Sequence, residues 1–76
     1  MIRELDRVVL TADLPELGLE AGDIGTVVLV HRAGKGFEVE FTTLEGETLT
    51  VATVTSDQVR PVDHNEIAHA RVVALG

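Results

Sequence analysis

Gly22-Asp23-Ile24-Gly25-Thr26-Val27-Val28-Leu29-Val30 is a glycine-framed turn that runs directly into an apolar strand. A turn signal bounding a β-branched run is the pattern of a strand entry. Gly22 and Gly25 are expected to permit the turn, and Asp23 to hydrogen-bond its backbone. The stretch specifies architecture and carries no reactive group.

Downstream, Thr26 to Arg32 is a strand, Ala33-Gly34-Lys35-Gly36 a turn, and Phe37 to Thr42 the next strand. That third strand alternates strictly, with Phe37, Val39 and Phe41 on one face and Glu38 and Glu40 on the other. A two-residue Gly34-Lys35 loop and a four-residue Ala33-to-Gly36 loop predict the same pairing. Arg32 lies opposite Phe37, Val30 opposite Val39 and Val28 opposite Phe41. Val28 and Val30 then share the core face, while Leu29 and His31 lie outside, opposite Glu40 and Glu38.

The following turn has two solutions. A two-residue Glu45-Gly46 loop puts Leu49 and Val51 outside. A three-residue Leu44-Glu45-Gly46 loop puts them on the core face, with Gly46 left-handed in a bulged hairpin. The second buries more apolar area and is preferred. The fourth strand runs from Glu47 to Val54, and Ala52 and Val54 break its phase, which predicts a kink or bulge there. Thr55 to Gln58 is a short helical turn. Val59 to Val62 is a final strand whose Pro61 suits an edge or a strand end.

Upstream, Leu5 to Thr11 has the composition of a first strand. Residues 12–22 contain Pro15, Gly18 and Gly22 and form a loop. Leu14, Leu17 and Leu19 imply that this loop folds back and caps one end of the core. The sum is an all-β domain over residues 1–62: a small, strongly bent, five-stranded antiparallel barrel of the SH3-like kind. Residues 63–76 form a tail. It is either frayed or a short helix capped by Asp63, with Glu66 in its first turn and Ile67, Ala70 and Ala74 on one face.

Composition limits function. Seventy-six residues make one domain, which buries only about 60% of its unfolded surface. With no cysteine, neither disulfides nor thiolate metal sites can assist, so the core must be aliphatic and efficient. Thirteen acidic residues against six basic ones give a net charge of −7, which repels nucleic acid and favours a basic partner. Phe37 and Phe41 fall at core spacing and leave no aromatic to stack on a base or to line a proline-rich peptide groove. The charged start and the short Val27–Val30 run point away from membranes and toward the cytoplasm.

Catalytic candidates are few. Ser56 precedes an aspartate in a turn, where a local cap is the simpler role. The pairs Glu38 with Glu40 and Glu45 with Glu47 lie on a solvent face or at a turn, which is unsuited to raising a carboxylate pKa. Glu66 and His69 could share a face with His64 nearby, but two ligands make a weak metal site. His31 is better placed as a cross-strand charge partner of Glu38. No enzymatic activity, cofactor or metal is expected. The candidate partner-binding surface is Leu29, His31, Glu38 and Glu40, and Leu29 left exposed favours a homo-oligomer.

Five motifs recur together in one known family: E-L-D-x-V-V-L (Glu4 to Leu10), P-E-x-G-L (Pro15 to Leu19), G-D-x-G-T-V-V (Gly22 to Val28), E-V-E-F (Glu38 to Phe41) and Q-V-R (Gln58 to Arg60). Over about the first sixty-two residues the chain resembles a family of small bacterial proteins classed as a domain of unknown function. The resemblance implies an SH3-type barrel, no established catalytic role, and a binding or neutralising role toward a toxin-like protein. Taken alone, G-D-x-G-T-V is similar to the turns of KOW modules, which implies an alternative role as an accessory of RNA, the ribosome or transcription.

Overall fold

The computed structural model describes residues 1–74 and contains five strands. They are β1 (Arg7–Leu10), β2 (Ile24–His31), β3 (Gly36–Thr42), β4 (Thr48–Thr55) and β5 (Val59–Pro61). All pairings are antiparallel, in the order β4-β3-β2-β1-β5, so β4 and β5 are the edges of one open, barrel-like sheet. The all-β, five-stranded architecture expected from the sequence is the one observed. Val8, Leu10, Leu19, Val27, Phe37, Val39, Phe41, Ala52, Val54 and Val59 form the core.

The loop before β2 folds back as expected. Leu14 and Leu19 bridge each other around a single 3-10 turn at Pro15–Leu17. Leu19 enters the core and Leu14 packs against it, while Leu17 stays exposed. Glu20 to Asp23 then form a β-turn closed by Asp23 N–H donating to Glu20 O at 3.0 Å, with Gly22 at φ +98° in its third position. That is the position of a type II turn that needs a left-handed residue. Gly25 takes no part in it. It lies inside β2, opposite Val8, and is needed for close approach, because a Cβ there would sit 2.5 Å from Val39 Cγ1 and 2.9 Å from Glu40 O.

The phase of β2 differs from the sequence expectation. Arg32 and Ala33 are left-handed (φ +48° and +56°), so the ladder begins at His31 opposite Gly36 and continues with Val30 opposite Phe37 and Leu29 opposite Glu38. Val28 is then an extra residue, and pairing resumes at Val27 opposite Val39. A bulge of this kind bends a strand and inverts its faces beyond the insertion. Val27 is therefore 0% exposed and Val28 is 41% exposed, the reverse of the expected assignment. The bend lets Thr26 pair with Arg7 of β1 on one side and Glu40 of β3 on the other.

The β3–β4 turn is the three-residue loop, with Gly46 at φ +90° and Thr43 N–H donating to Glu47 O at 2.8 Å. A second bulge follows at Leu49: Thr42 pairs with Thr48 but Phe41 with Thr50. The irregularity lies ahead of Ala52 rather than at it. Its consequence is that Ala52 and Val54 face the core and Val51 faces solvent. Small Ala52 opposite Val39 and Val54 opposite Phe37 fill the core beside β3 without overpacking.

The Arg32–Ala33 pair supplies a prediction. A non-glycine residue in the left-handed region costs about 1–2 kcal/mol, part of which glycine returns through its freer unfolded chain. Ala33→Gly is expected to stabilise the domain by about 0.5–1 kcal/mol, read as a rise of a few degrees in Tm. An unchanged or lower Tm would contradict the strained-loop geometry.

Candidate protein-binding face and tail clamp

Strand β3 turns its acidic side chains outward because its apolar ones fill the core. Leu29 sits directly opposite Glu38, and His31 reaches the same carboxylate diagonally, its Nε2–H donating to Glu38 Oε2 at 2.7 Å. From the other neighbour, Thr53 Oγ1 donates to both Glu38 oxygens at 2.9 Å. The sequence expectation placed Leu29 opposite Glu40; the β2–β3 loop moves it two residues along β3, and Glu40 lies opposite Thr26 and Val51. Glu40 Oε2 accepts a hydrogen bond from Thr48 Oγ1 at 2.7 Å.

Leu29, His31, Glu38 and Glu40 thus share the outer face of the β2–β3–β4 sheet. Three residues join them that sequence reasoning assigned elsewhere or passed over. Val28 and Val51 were expected in the core, and Thr53 had no assigned role. The two bulges bring all three to this face. Leu29 and Val51 are 43% and 51% exposed, so aliphatic surface flanks both carboxylates.

Hydrogen bonds from His31 and then Thr53 hold Glu38 below the usual carboxylate range. A carboxyl whose folded pKa lies below its unfolded one contributes stability above the unfolded value, and loses it as pH falls through the folded one. His31→Ala is expected to move the Glu38 midpoint upward, toward the ordinary carboxylate value, in an NMR titration of its side-chain carbon. An unmoved midpoint would show that His31 does not hold Glu38.

The second polar constellation lies where the turn before β2 meets the tail. Residues 63–74 form no helix, so of the two alternatives for the tail the helix capped by Asp63, with its Ile67, Ala70 and Ala74 face, is not the one observed. Residues 75 and 76 lie outside the described part of the chain. Glu66 instead turns back onto Arg60, which donates to it from Nη1 at 2.7 Å and from Nη2 at 2.6 Å, while Asp63 N–H donates to Glu66 Oε1. Arg60 and then Asp63 N–H hold the Glu66 carboxyl down to about 2.

Arg71 closes the clamp. Its Nε donates to Asp23 Oδ1 at 2.8 Å, and its Nη2 to Asp23 Oδ2 at 2.6 Å and to Gly18 O at 3.1 Å. Glu20 Oε2 stands 3.7 Å from Nη1. Asp23 also accepts Glu20 N–H at 2.9 Å, as the turn reading expected. The Arg71 guanidinium is the main cause that lowers the Asp23 pKa. Nothing in the sequence marked Arg71, because its partner is 48 residues away and shares no local period with it.

Among the described residues, no group of three or more His, Cys, Asp or Glu side chains is placed to hold a metal ion. No helix among them is long and apolar enough to cross a membrane. The family model described as Domain of unknown function (DUF4926) matches residues 4–61, and the chain belongs to that family. The match takes in all five strands and leaves the tail outside. No curated protein and no solved structure matches the chain.

Proposed function

We propose that this DUF4926 member is a non-enzymatic protein-binding module that neutralises a partner protein, in the manner of an antitoxin or immunity protein. The observation that carries the reading is the aliphatic group Val28, Leu29 and Val51, exposed around Glu38 and Glu40 on the outer sheet face. Exposed apolar side chains beside fixed carboxylates are the chemistry of a contact surface for a basic protein: the apolar atoms supply burial, and the charges supply orientation and rate. His31, Thr48 and Thr53 hold the two carboxylates in place before any partner arrives, which lowers the ordering cost of association. A second copy of the chain could meet the same face, and the oligomeric state belongs to the same reading.

Affinity capture from the native host tests it, comparing the wild-type chain with Leu29→Lys and Glu38→Lys. The expected result is one protein recovered in fixed ratio by the wild type and lost with both variants. Nucleic acid recovered without a protein, together with a mobility shift at low salt, would replace this reading with the KOW-like one. Equal recovery by all three chains would move the binding surface elsewhere.

A further inference from the structure

The Arg71 contacts describe a guanidinium seat. Two carboxylates and a carbonyl, from Asp23, Glu20 and Gly18, converge on one side chain, and Asp23 meets it with both oxygens. Paired geometry of this kind is specific to arginine, because a lysine ammonium cannot present two parallel donors. Asp23 and Arg71 side chains are 17% and 29% exposed, so the pair is partly withdrawn from water. Beside the seat runs a groove of about 340 Å³, walled by Leu19, Ile24, Phe41 and Leu49 on the sheet side and by Ala68 to Arg71 and Val73 of the tail on the other.

Few hydrogen bonds hold the tail against this groove. Among the described residues, 67–74 make no backbone–backbone hydrogen bond, and Arg71 is their one hydrogen-bonding side chain. Ile67 and Val72 are 94% and 95% exposed, while Val73 is half-buried against the groove, so among the described tail residues docking covers Val73 and leaves Ile67 and Val72 in water. The seat and groove walls contributed by residues 18–49 lie within the family match, whereas the tail lies beyond it.

We propose that the Asp23–Glu20–Gly18 seat and the apolar wall beside it are a docking site for an extended, arginine-bearing segment of a partner protein, and that residues 67–74 cover them in cis as a displaceable stand-in. The arginine of the incoming segment takes the Arg71 position between Asp23, Glu20 and Gly18. Aliphatic residues next to it cover Leu19, Ile24 and Leu49. The site is separate from the β2–β3 face, so its failure would leave the capture experiment above unaffected.

The test uses the full chain and a labelled peptide of residues 68–74, A-H-A-R-V-V-A, in fluorescence anisotropy with an NMR map of the shifted amides. A tethered occupant competes at an effective concentration in the millimolar range. The peptide should therefore bind Arg71→Gln about tenfold more tightly than the wild type. The shifted amides should include Gly18, Leu19, Asp23, Ile24 and Leu49. Peptides with citrulline or lysine in place of the arginine should bind at least about tenfold more weakly, as loss of a paired charged contact requires.

Should Arg71→Gln fail to fold, excess arginine peptide on the wild type should release residues 67–74, seen as their amides moving to unstructured positions. Equal binding of the citrulline peptide, shifts confined to other surfaces, or no binding would overturn the proposal. A wild-type dimer formed by exchanged tails, detected as doubled mass in light scattering, would also overturn the assignment to a foreign partner.

Discussion

Gly25→Val is expected to abolish folding, and Gly25→Ala to cost about 2–3 kcal/mol, the upper part of the range for overpacking a filled core. Gly25 sits in β2 opposite Val8, where β2 bends across β3. A Cβ at this position meets Val39 Cγ1 at 2.5 Å, Glu40 O at 2.9 Å and Phe41 Cε1 at 2.9 Å. Val39 and Phe41 are fully enclosed and have nowhere to swing, and Glu40 O is part of the backbone. One of the two strands must therefore move. A domain of this length is stable by only about 4–11 kcal/mol, so valine's two further methyl groups exceed what it can absorb. Urea denaturation of the alanine variant, alongside circular dichroism of the valine variant, checks both. A Gly25→Ala midpoint equal to that of the wild type would mean that β2 and β3 are farther apart than described.

The second large effect separates two neighbouring valines. Val27→Asp is expected to unfold the domain, because it places a carboxylate with no partner in the centre of the core. Val28→Asp is expected to leave it folded, with stability changed by no more than about 0.5 kcal/mol, the usual range at the surface. Threonine makes the comparison at nearly constant volume. Val27→Thr buries a hydroxyl and costs about 1–3 kcal/mol, whereas Val28→Thr is close to neutral. Thermal melts of the four variants decide it. Without the bulge at Val28 the two positions would exchange roles, and Val28→Asp would be the variant that unfolds.

The same pair shows where the sequence was legible. In β3, Glu38 and Glu40 interrupt Phe37, Val39 and Phe41, so one face is polar, the other apolar, and the phase is unambiguous. In β2, Val27, Val28, Leu29 and Val30 are apolar on both faces. A period of two then names no inner side, and an inserted residue costs the local pattern nothing. In β4, Leu49 and Val51 compete with Ala52 and Val54. Counting buried area favours the larger pair, while the space opposite Phe37 and Val39 admits the smaller. The candidate face followed the same division: Glu38, His31 and Leu29 were readable from the alternation, but Val28 and Val51 reach it only through the bulges.

Local sequence by itself determined that this chain is all-β, with five strands, a left-handed Gly46 closing the β3–β4 turn, and Glu38 and Glu40 directed outward. Those features depend on backbone propensity and on contrasts between adjacent residues, which a short stretch contains in full. Tertiary structure decided the phases of β2 and β4, the role of Gly25 and the course of the tail. Each of these depends on what lies across the sheet: Val39 and Phe41 against Gly25, Phe37 against Val54, and Asp23 against Arg71 at the far end of the chain. Packing distance and charge pairing between remote segments outweighed local preference there, because the free energy at stake lies in contacts that the order of residues does not display.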